Sequence, residues 1–201
     1  MKKFWVLMAS LVSIISCQAA FGDELQAPVY QEGELWVMKA REVNIRLQTS
    51  QALEGEYEIT YSNGKFSIFE LKDGKRLKEL DQRHLLWAIF FRPQREDNYV
   101  NFPLSEGKGW DISFIERTPG TTKSETRKVS YKVLGIESVT TRAGEFKSFK
   151  IKRTSSGARS YWVDEYYYSP ETKSIVKLVG ERSDTGDKRE IELLKYGHGQ
   201  R

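Results

Sequence analysis

The sequence is poor in the residues that build covalent and metal cross-links. Cys17 is the only cysteine among 201 residues, so an internal disulfide framework is excluded. His84 and His198 are the only histidines, and neither an HExxH nor a CxxC motif is present. A zinc site built from the usual His and Cys ligands is therefore excluded as well. The sequence predicts no metal and no cofactor.

The chain also lacks an excess of charge of one sign. The chain has 32 Lys and Arg against 28 Asp and Glu. Without Lys2 and Lys3, which lie in the leader described below, 30 basic residues remain against 28 acidic ones, a net charge of +2. Both signs are interspersed, and a protein with no basic patch has no electrostatic footprint for nucleic acid. The sequence therefore predicts that nucleic acid is not a partner.

The longest apolar run lies at the N-terminus. Lys2 and Lys3 precede a 12-residue apolar segment from Phe4 to Ile15. A short basic region followed by such a segment is typical of a secretory signal peptide, which we predict over residues 1–22. The run is shorter than the ~20 apolar residues that a membrane-spanning helix needs. The sequence thus predicts an exported protein without a permanent transmembrane helix.

Two cleavage sites compete at the end of this leader. The segment AFG at 20–22 places small residues before Asp23 and favours a soluble periplasmic protein. The segment IISC at 14–17 resembles a bacterial lipobox, which would remove residues 1–16 and attach lipid to Cys17. The first site is favoured and the second stays open. We expect contact with a membrane only through a lipid anchor on Cys17, if that residue is lipidated.

Beyond the leader, the pattern is that of β-strands. Apolar and polar residues alternate with a period of two, and Asn63-Gly64 and Asp73-Gly74 are typical of two-residue hairpin turns. The apolar run 85–91 predicts a strand buried on both faces. Further strands are predicted at 110–117, 127–141, 145–154, 160–168, 174–182 and 189–196. We therefore predict a flexible lead-in over 23–34 and one all-β domain over 35–197. That domain is a single curved antiparallel sheet, an open barrel or a sandwich.

Three segments carry a resemblance to a known family. FPLSEGKGW (102–110), GIESVTTRAGEFKSFKI (135–151) and YYYSPETKSIVK (166–177) occur in this order. Together they resemble a broad family of secreted bacterial β-rich proteins classed as a domain of unknown function. Arg142 and Glu145 stand where that family usually has Pro and Thr, whereas Gly144 of the turn is retained. The resemblance implies a β-rich fold and export, and it implies no catalytic residues.

Arrangements that carry catalysis are absent from the sequence pattern. Ser-x-x-Lys spacings at Ser62 and Ser105 contain glycine and fall in predicted turns, not on helices. Asp164 and Glu165 are adjacent on a strand, so they point to opposite faces and cannot form a glycosidase pair by themselves. Glu54, Glu56 and Glu58 share one face, which favours a charged outer surface. The sequence therefore predicts that the protein is not an enzyme.

Large aromatic residues are the one residue class that the sequence has in excess. Trp162, Tyr166 and Tyr168 share one face of a predicted strand with Asp164. Such a row is typical of a core face, and it can also bind a ligand. We therefore predict a non-catalytic protein of the cell envelope that binds an amphiphile or an envelope partner through these three rings. Lipids, glycans and envelope proteins are the candidate partners. The alternative is a hydrolase of envelope polymers that uses carboxylates from separate strands.

Overall fold

The computed structural model describes residues 24–43, 53–80, 99–117, 124–156 and 161–199. The predicted leader with Cys17, His84 and the predicted strand 85–91 lie outside these residues. The described residues form ten strands: β1 (Glu34–Val43), β2 (Leu53–Ser62), β3 (Lys65–Lys72), β4 (Lys75–Glu79), β5 (Gly109–Arg117), β6 (Ser124–Thr141), β7 (Gly144–Ser156), β8 (Tyr161–Ser169), β9 (Ser174–Arg182) and β10 (Lys188–His198). Among them there is no helix that could cross a membrane.

All ten strands form one antiparallel sheet, which confirms the predicted all-β class. Their order is β4-β3-β2-β1-β10-β9-β8-β7-β6-β5. Neighbours in the sheet are neighbours in sequence except at β1 and β10, the first and last strands, which pair over their whole lengths. Strands β4 and β5 are the two edges. Within the described residues the sheet is therefore not closed into a barrel, which agrees with the predicted single curved antiparallel sheet.

The two predicted hairpin turns have the expected backbone. Asn63 and Gly64 have φ angles of 54° and 73°, and Asp73 and Gly74 have φ angles of 51° and 72°. A type I′ turn requires positive φ at both central residues, which Asn-Gly and Asp-Gly adopt at little cost. These turns join β2 to β3 and β3 to β4.

The sheet is strongly curled, and the face that carries its buried residues is here called the inner face. Three strands separate β6 from β10, a distance of about 19 Å across a flat sheet. The turn between β6 and β7 nevertheless contacts β10, because the Ala143 amide donates to the Leu193 carbonyl at 3.2 Å. The Arg142 amide also donates to the Glu192 carboxylate at 3.0 Å. Only a curled sheet brings these groups together.

Residues 24–33, predicted as a flexible lead-in, are docked on the sheet. Leu25 and Leu104 form an isolated antiparallel β-bridge, with N···O distances of 2.7 and 2.8 Å. The Tyr30 ring packs edge-on against Phe66 with a centroid distance of 4.8 Å. The Gly33 amide donates to the Tyr61 carbonyl at 3.0 Å. These residues contact the sheet because their few apolar side chains find partners that lie far away in sequence, and their flexibility stays a prediction.

Gly107 and Gly109 predict a bend that brings Trp110 into the core at the start of β5, but Trp110 is only half-buried. β5 is an edge of the sheet among the described strands. The Trp110 ring stacks on Tyr131 of β6, with a centroid distance of 4.7 Å and an interplanar angle of 6°. Trp110 therefore packs at the margin of the core and not in its centre.

Candidate functional site

The predicted aromatic row lies on the inner face of β8, and two of its three rings are closed off. Tyr166 is 0% exposed and Tyr168 is 3% exposed. The Tyr166 hydroxyl donates to the Tyr99 carbonyl, and Phe102 packs edge-on against Tyr168 with a centroid distance of 5.4 Å. Burial raises the pKa of the Tyr166 hydroxyl well above its usual value. As folded, these two rings belong to the core and have no surface to offer a ligand.

Trp162 differs from its two neighbours in the row. It is half-buried, and it lies near the N-terminal end of β8, where Ser155 of β7 and Arg182 of β9 are its partners in the sheet. The Arg189 guanidinium carbon is 4.6 Å from the centre of its ring. The binding-face hypothesis for Trp162, Tyr166 and Tyr168 stays a prediction, and Trp162 is the member that a ligand can reach without rearrangement.

A buried cluster of three charged residues, here called the arginine cluster, lies beside Trp162. It consists of Arg153 of β7, Asp164 of β8 and Arg189 of β10. Arg153 Nη1 donates to Asp164 Oδ2 at 3.0 Å. Arg189 Nε donates to Asp164 Oδ1 at 2.9 Å, and Arg189 Nη2 donates to Oδ2. The side chain of Asp164 is 0% exposed, and those of Arg153 and Arg189 are 8% and 13% exposed.

The sheet register assembles this cluster from strands that are distant in sequence. Arg153 faces Asp164, Asp164 faces Gly180, and Gly180 faces Arg189. Gly180 is required between the two charged residues. A Cβ atom there would collide with Asp164 Oδ1 and would lie 3.0 Å from Arg189 Cγ. The missing side chain thus lets Arg189 reach across β9 to the carboxylate on β8.

Aromatic rings line the other side of the cluster. The Arg153 guanidinium lies 5.0 Å from the centre of the Tyr99 ring, and its Nε donates to the Tyr131 hydroxyl at 3.3 Å. Guanidinium groups are weakly hydrated and stack well on aromatic faces. The cluster is therefore held in a fixed geometry by rings as well as by hydrogen bonds.

The sequence pattern places Asp164 on the same face as Trp162 but does not identify the two arginines that bind it. The available signal was the alternation itself: Arg153 continues the inward series Phe149 and Ile151, and Arg189 precedes the inward residues Ile191 and Leu193. A charged residue in an inward position needs a buried partner.

Apolar residues extend from Trp162 toward the edge of the sheet. The cross-strand row that contains Trp162 continues through Ser155 and Val129 to Ile112 on β5. Val129 is buried, whereas Ile112 and its neighbour on the same face, Phe114, are only half-buried. We call Ile112, Phe114, Val129 and Trp162 the apolar strip. Its two ends are partly accessible, Trp162 beside the arginine cluster and Ile112 with Phe114 on the edge strand, whereas Val129 between them is covered.

A second buried carboxylate serves to join the lead-in to the sheet. Glu34 accepts hydrogen bonds from Lys173 Nζ at 2.6 Å, the Tyr196 hydroxyl at 3.1 Å and the Gln31 amide at 2.7 Å. Burial and the Glu34 carboxylate raise the pKa of Tyr196 to about 12. The lysine comes from the turn between β8 and β9, so this network fixes that turn onto β1.

The outer face carries the acidic row that the sequence predicts. Glu54 is paired with Lys39, and Glu58 accepts from Arg76 Nε at 2.6 Å. A shallow groove on this face is lined by charges of both signs: Lys39, Arg41, Glu54, Arg142, Glu190 and Glu192. In the described part of the chain, no group of three or more His, Cys, Asp or Glu residues could hold a metal ion.

Comparisons with known proteins give structural neighbours alone, since no protein-family model and no curated protein matches the chain. One neighbour is the hypothetical lipoprotein YmcC from Escherichia coli, at 11% identity, with 84% of this chain and 90% of that chain covered and a TM-score of 0.40.

Two further solved structures are similar. A candidate lipoprotein from Parabacteroides distasonis is 13% identical, with coverages of 88% and 100% and a TM-score of 0.44. A candidate exported protein with a YmcC-like fold from Bacteroides fragilis is 13% identical, with coverages of 87% and 99% and a TM-score of 0.37.

Proposed function

We propose that this protein is an exported, non-catalytic protein of the bacterial cell envelope that binds an amphiphile along the apolar strip. The observation that carries the proposal is the position of Trp162. Its half-buried ring ends a row of apolar residues and lies 4.6 Å from a guanidinium. An amphiphile needs an apolar surface and a polar group side by side, and large rings that are apolar at one end and polar at the other suit such a ligand.

The leader supports the exported location. Its basic start and 12-residue apolar segment are typical of secretion signals. We expect the protein isolated from its native cells to have lost residues 1–22 and to begin at Asp23 in the periplasm. Intact-mass spectrometry measures this directly. A lipid mass on Cys17 would instead assign the protein to a membrane as a lipoprotein, and a processed fraction that retains Met1 would contradict export.

The state of the buried carboxylates supports binding over catalysis. Asp164 is engaged by two guanidiniums, and Glu34 accepts three hydrogen bonds. A carboxylate that is fully occupied in this way has no oxygen left to exchange a proton with a substrate. A glycosidase would need two carboxylates about 5–9.5 Å apart around an open cleft. Among the described residues, no observation favours this alternative.

Fluorescence titration with dodecyl maltoside tests the binding function. We expect a saturable change in tryptophan emission in the parent protein, because the ligand would cover the half-buried Trp162. The change should be lost in Trp162→Phe. The part of the change that Trp162 contributes should persist in Trp110→Phe, which removes a second half-buried tryptophan on the same face of β5 as Ile112. A parent protein without any saturable change would contradict the proposal.

A further inference from the structure

We propose that the amphiphile carries an oxyanion headgroup and that Arg189 binds this headgroup through the edge of its guanidinium that faces away from Asp164. The inference rests on the proposed function, because it names the ligand class of the same site. It assigns a ligand-binding role to Arg189 and a positioning role to Asp164.

The hydrogen bonds of Arg189 leave part of its donor set unused. A guanidinium has five N–H donors in a planar fork. Nε and Nη2 donate to Asp164, so one edge of the fork is occupied. Within the part of the chain that the structure describes, Nη1 has no hydrogen-bond partner. The side chain is 13% exposed, so a small group can still contact it.

The guanidinium is held in place before any ligand arrives. Asp164 fixes its inner edge with two hydrogen bonds, and the Trp162 ring lies 4.6 Å from the guanidinium carbon. Gly180 leaves the space that this side chain crosses. A pre-organised arginine loses little side-chain entropy when it binds, and its planar fork matches the oxygens of a phosphate or a carboxylate. The geometry therefore favours an oxyanion over a neutral polar group.

The apolar strip favours an amphiphile over a free ion. Trp162 on β8 and Ile112 on β5 are three strands apart, which corresponds to about 14 Å across the sheet. Val129 lies in the same cross-strand row, and Phe114 lies on the same face of β5. Val129 is 0% exposed, so a ligand whose headgroup contacts Arg189 has accessible apolar surface for its acyl chain at Trp162, and at Ile112 and Phe114 near the sheet edge. A free phosphate would use none of this surface.

Three probes that differ in their alkyl chain or their headgroup test the inference. Dodecyl phosphate has the chain and the oxyanion, dodecyl maltoside has the chain and a neutral headgroup, and inorganic phosphate has the oxyanion alone. We expect dodecyl phosphate to bind the parent protein at least about tenfold more tightly than dodecyl maltoside, since a hydrogen bond to a charged group contributes on that scale. Inorganic phosphate should bind weakly. Added NaCl should weaken the binding of dodecyl phosphate and not that of the maltoside.

A substitution that keeps the charge locates the effect. Arg189→Lys retains a cation but removes the planar fork, and we expect it to weaken dodecyl phosphate binding about tenfold, a larger loss than for dodecyl maltoside. Arg76→Gln, on edge strand β4, removes a cation far from the site and should change neither affinity. If Arg189→Lys does not fold, the salt dependence of the parent protein still tests whether the headgroup is bound through its charge.

The possible results distinguish a failure of the oxyanion assignment from a failure of the proposed amphiphile binding. Equal affinity for dodecyl phosphate and dodecyl maltoside would overturn the oxyanion assignment and leave amphiphile binding intact. Inorganic phosphate that binds as tightly as dodecyl phosphate would overturn the amphiphile and indicate a site for a free ion. A protein that binds none of the three probes would overturn both the inference and the proposed function.

Discussion

Asp164→Asn is expected to lower the free energy of unfolding by about 3–5 kcal/mol, because it leaves two buried guanidiniums without the carboxylate they share. Asp164 is completely buried and accepts hydrogen bonds from Arg153 and from Arg189. Asparagine has nearly the same shape, so little of the loss would come from a cavity. In a chain of this size each kcal/mol lowers the melting temperature by about 2–4 °C.

Asp184→Asn is the matched control for this substitution. Asp184 also binds a guanidinium through both oxygens, at 2.7 and 3.0 Å from Arg182, but it lies at the surface. Surface ion pairs contribute about 0–1 kcal/mol, so this variant should melt close to the parent protein. Thermal unfolding followed by circular dichroism measures both. Equal melting temperatures for the two variants would contradict a structural role for the arginine cluster.

Trp36→Ala should destabilise the protein by about 3–5 kcal/mol, the usual cost of truncating a buried tryptophan. Trp36 is 0% exposed and packs against Tyr30, Phe66 and Tyr196, with ring-centroid distances of 6.0, 6.1 and 5.8 Å. Its Nε1 donates to the Thr172 carbonyl at 2.6 Å. The side chain therefore connects β1, the lead-in, β10 and the turn between β8 and β9.

Trp36→Phe separates packing from hydrogen bonding at the same position. Phenylalanine keeps most of the apolar volume but leaves the buried Thr172 carbonyl without its indole donor. We expect an intermediate loss of about 1–3 kcal/mol, which is the cost of an unsatisfied buried acceptor. Urea unfolding at equilibrium gives both values. If Trp36→Ala unfolded at the same urea concentration as the parent protein, Trp36 would not be central to the core.

Local features of the fold could be predicted from the sequence because they depend on neighbouring residues. The Asn63-Gly64 and Asp73-Gly74 turns require positive φ, which few residue types adopt, so their sequences identify them. The strand β9 (Ser174–Arg182) has the predicted bounds, since period-two alternation is set by the pleat of the strand itself. The same alternation correctly places Trp162, Asp164, Tyr166 and Tyr168 on one face.

Features that depend on distant parts of the chain could not be predicted in this way. No local pattern indicates that β1 pairs with β10, or that the segment containing Tyr99 and Phe102 covers the rings of Tyr166 and Tyr168. The burial of Tyr166 and Tyr168 therefore had to come from the structure. The arginine cluster depends on the register of four strands, which the sequence alone leaves open.

Photo-crosslinking with a dodecyl phosphate that carries a photoactivatable group on its chain tests amphiphile binding most directly, because it identifies the residues that contact the ligand. The account predicts saturable labelling of peptides from β5 (Gly109–Arg117) and β8 (Tyr161–Ser169), the strands that carry Ile112, Phe114 and Trp162. Unlabelled dodecyl phosphate should compete for this labelling. Absence of saturable labelling, or labelling confined to the outer-face groove around Arg142, would contradict it.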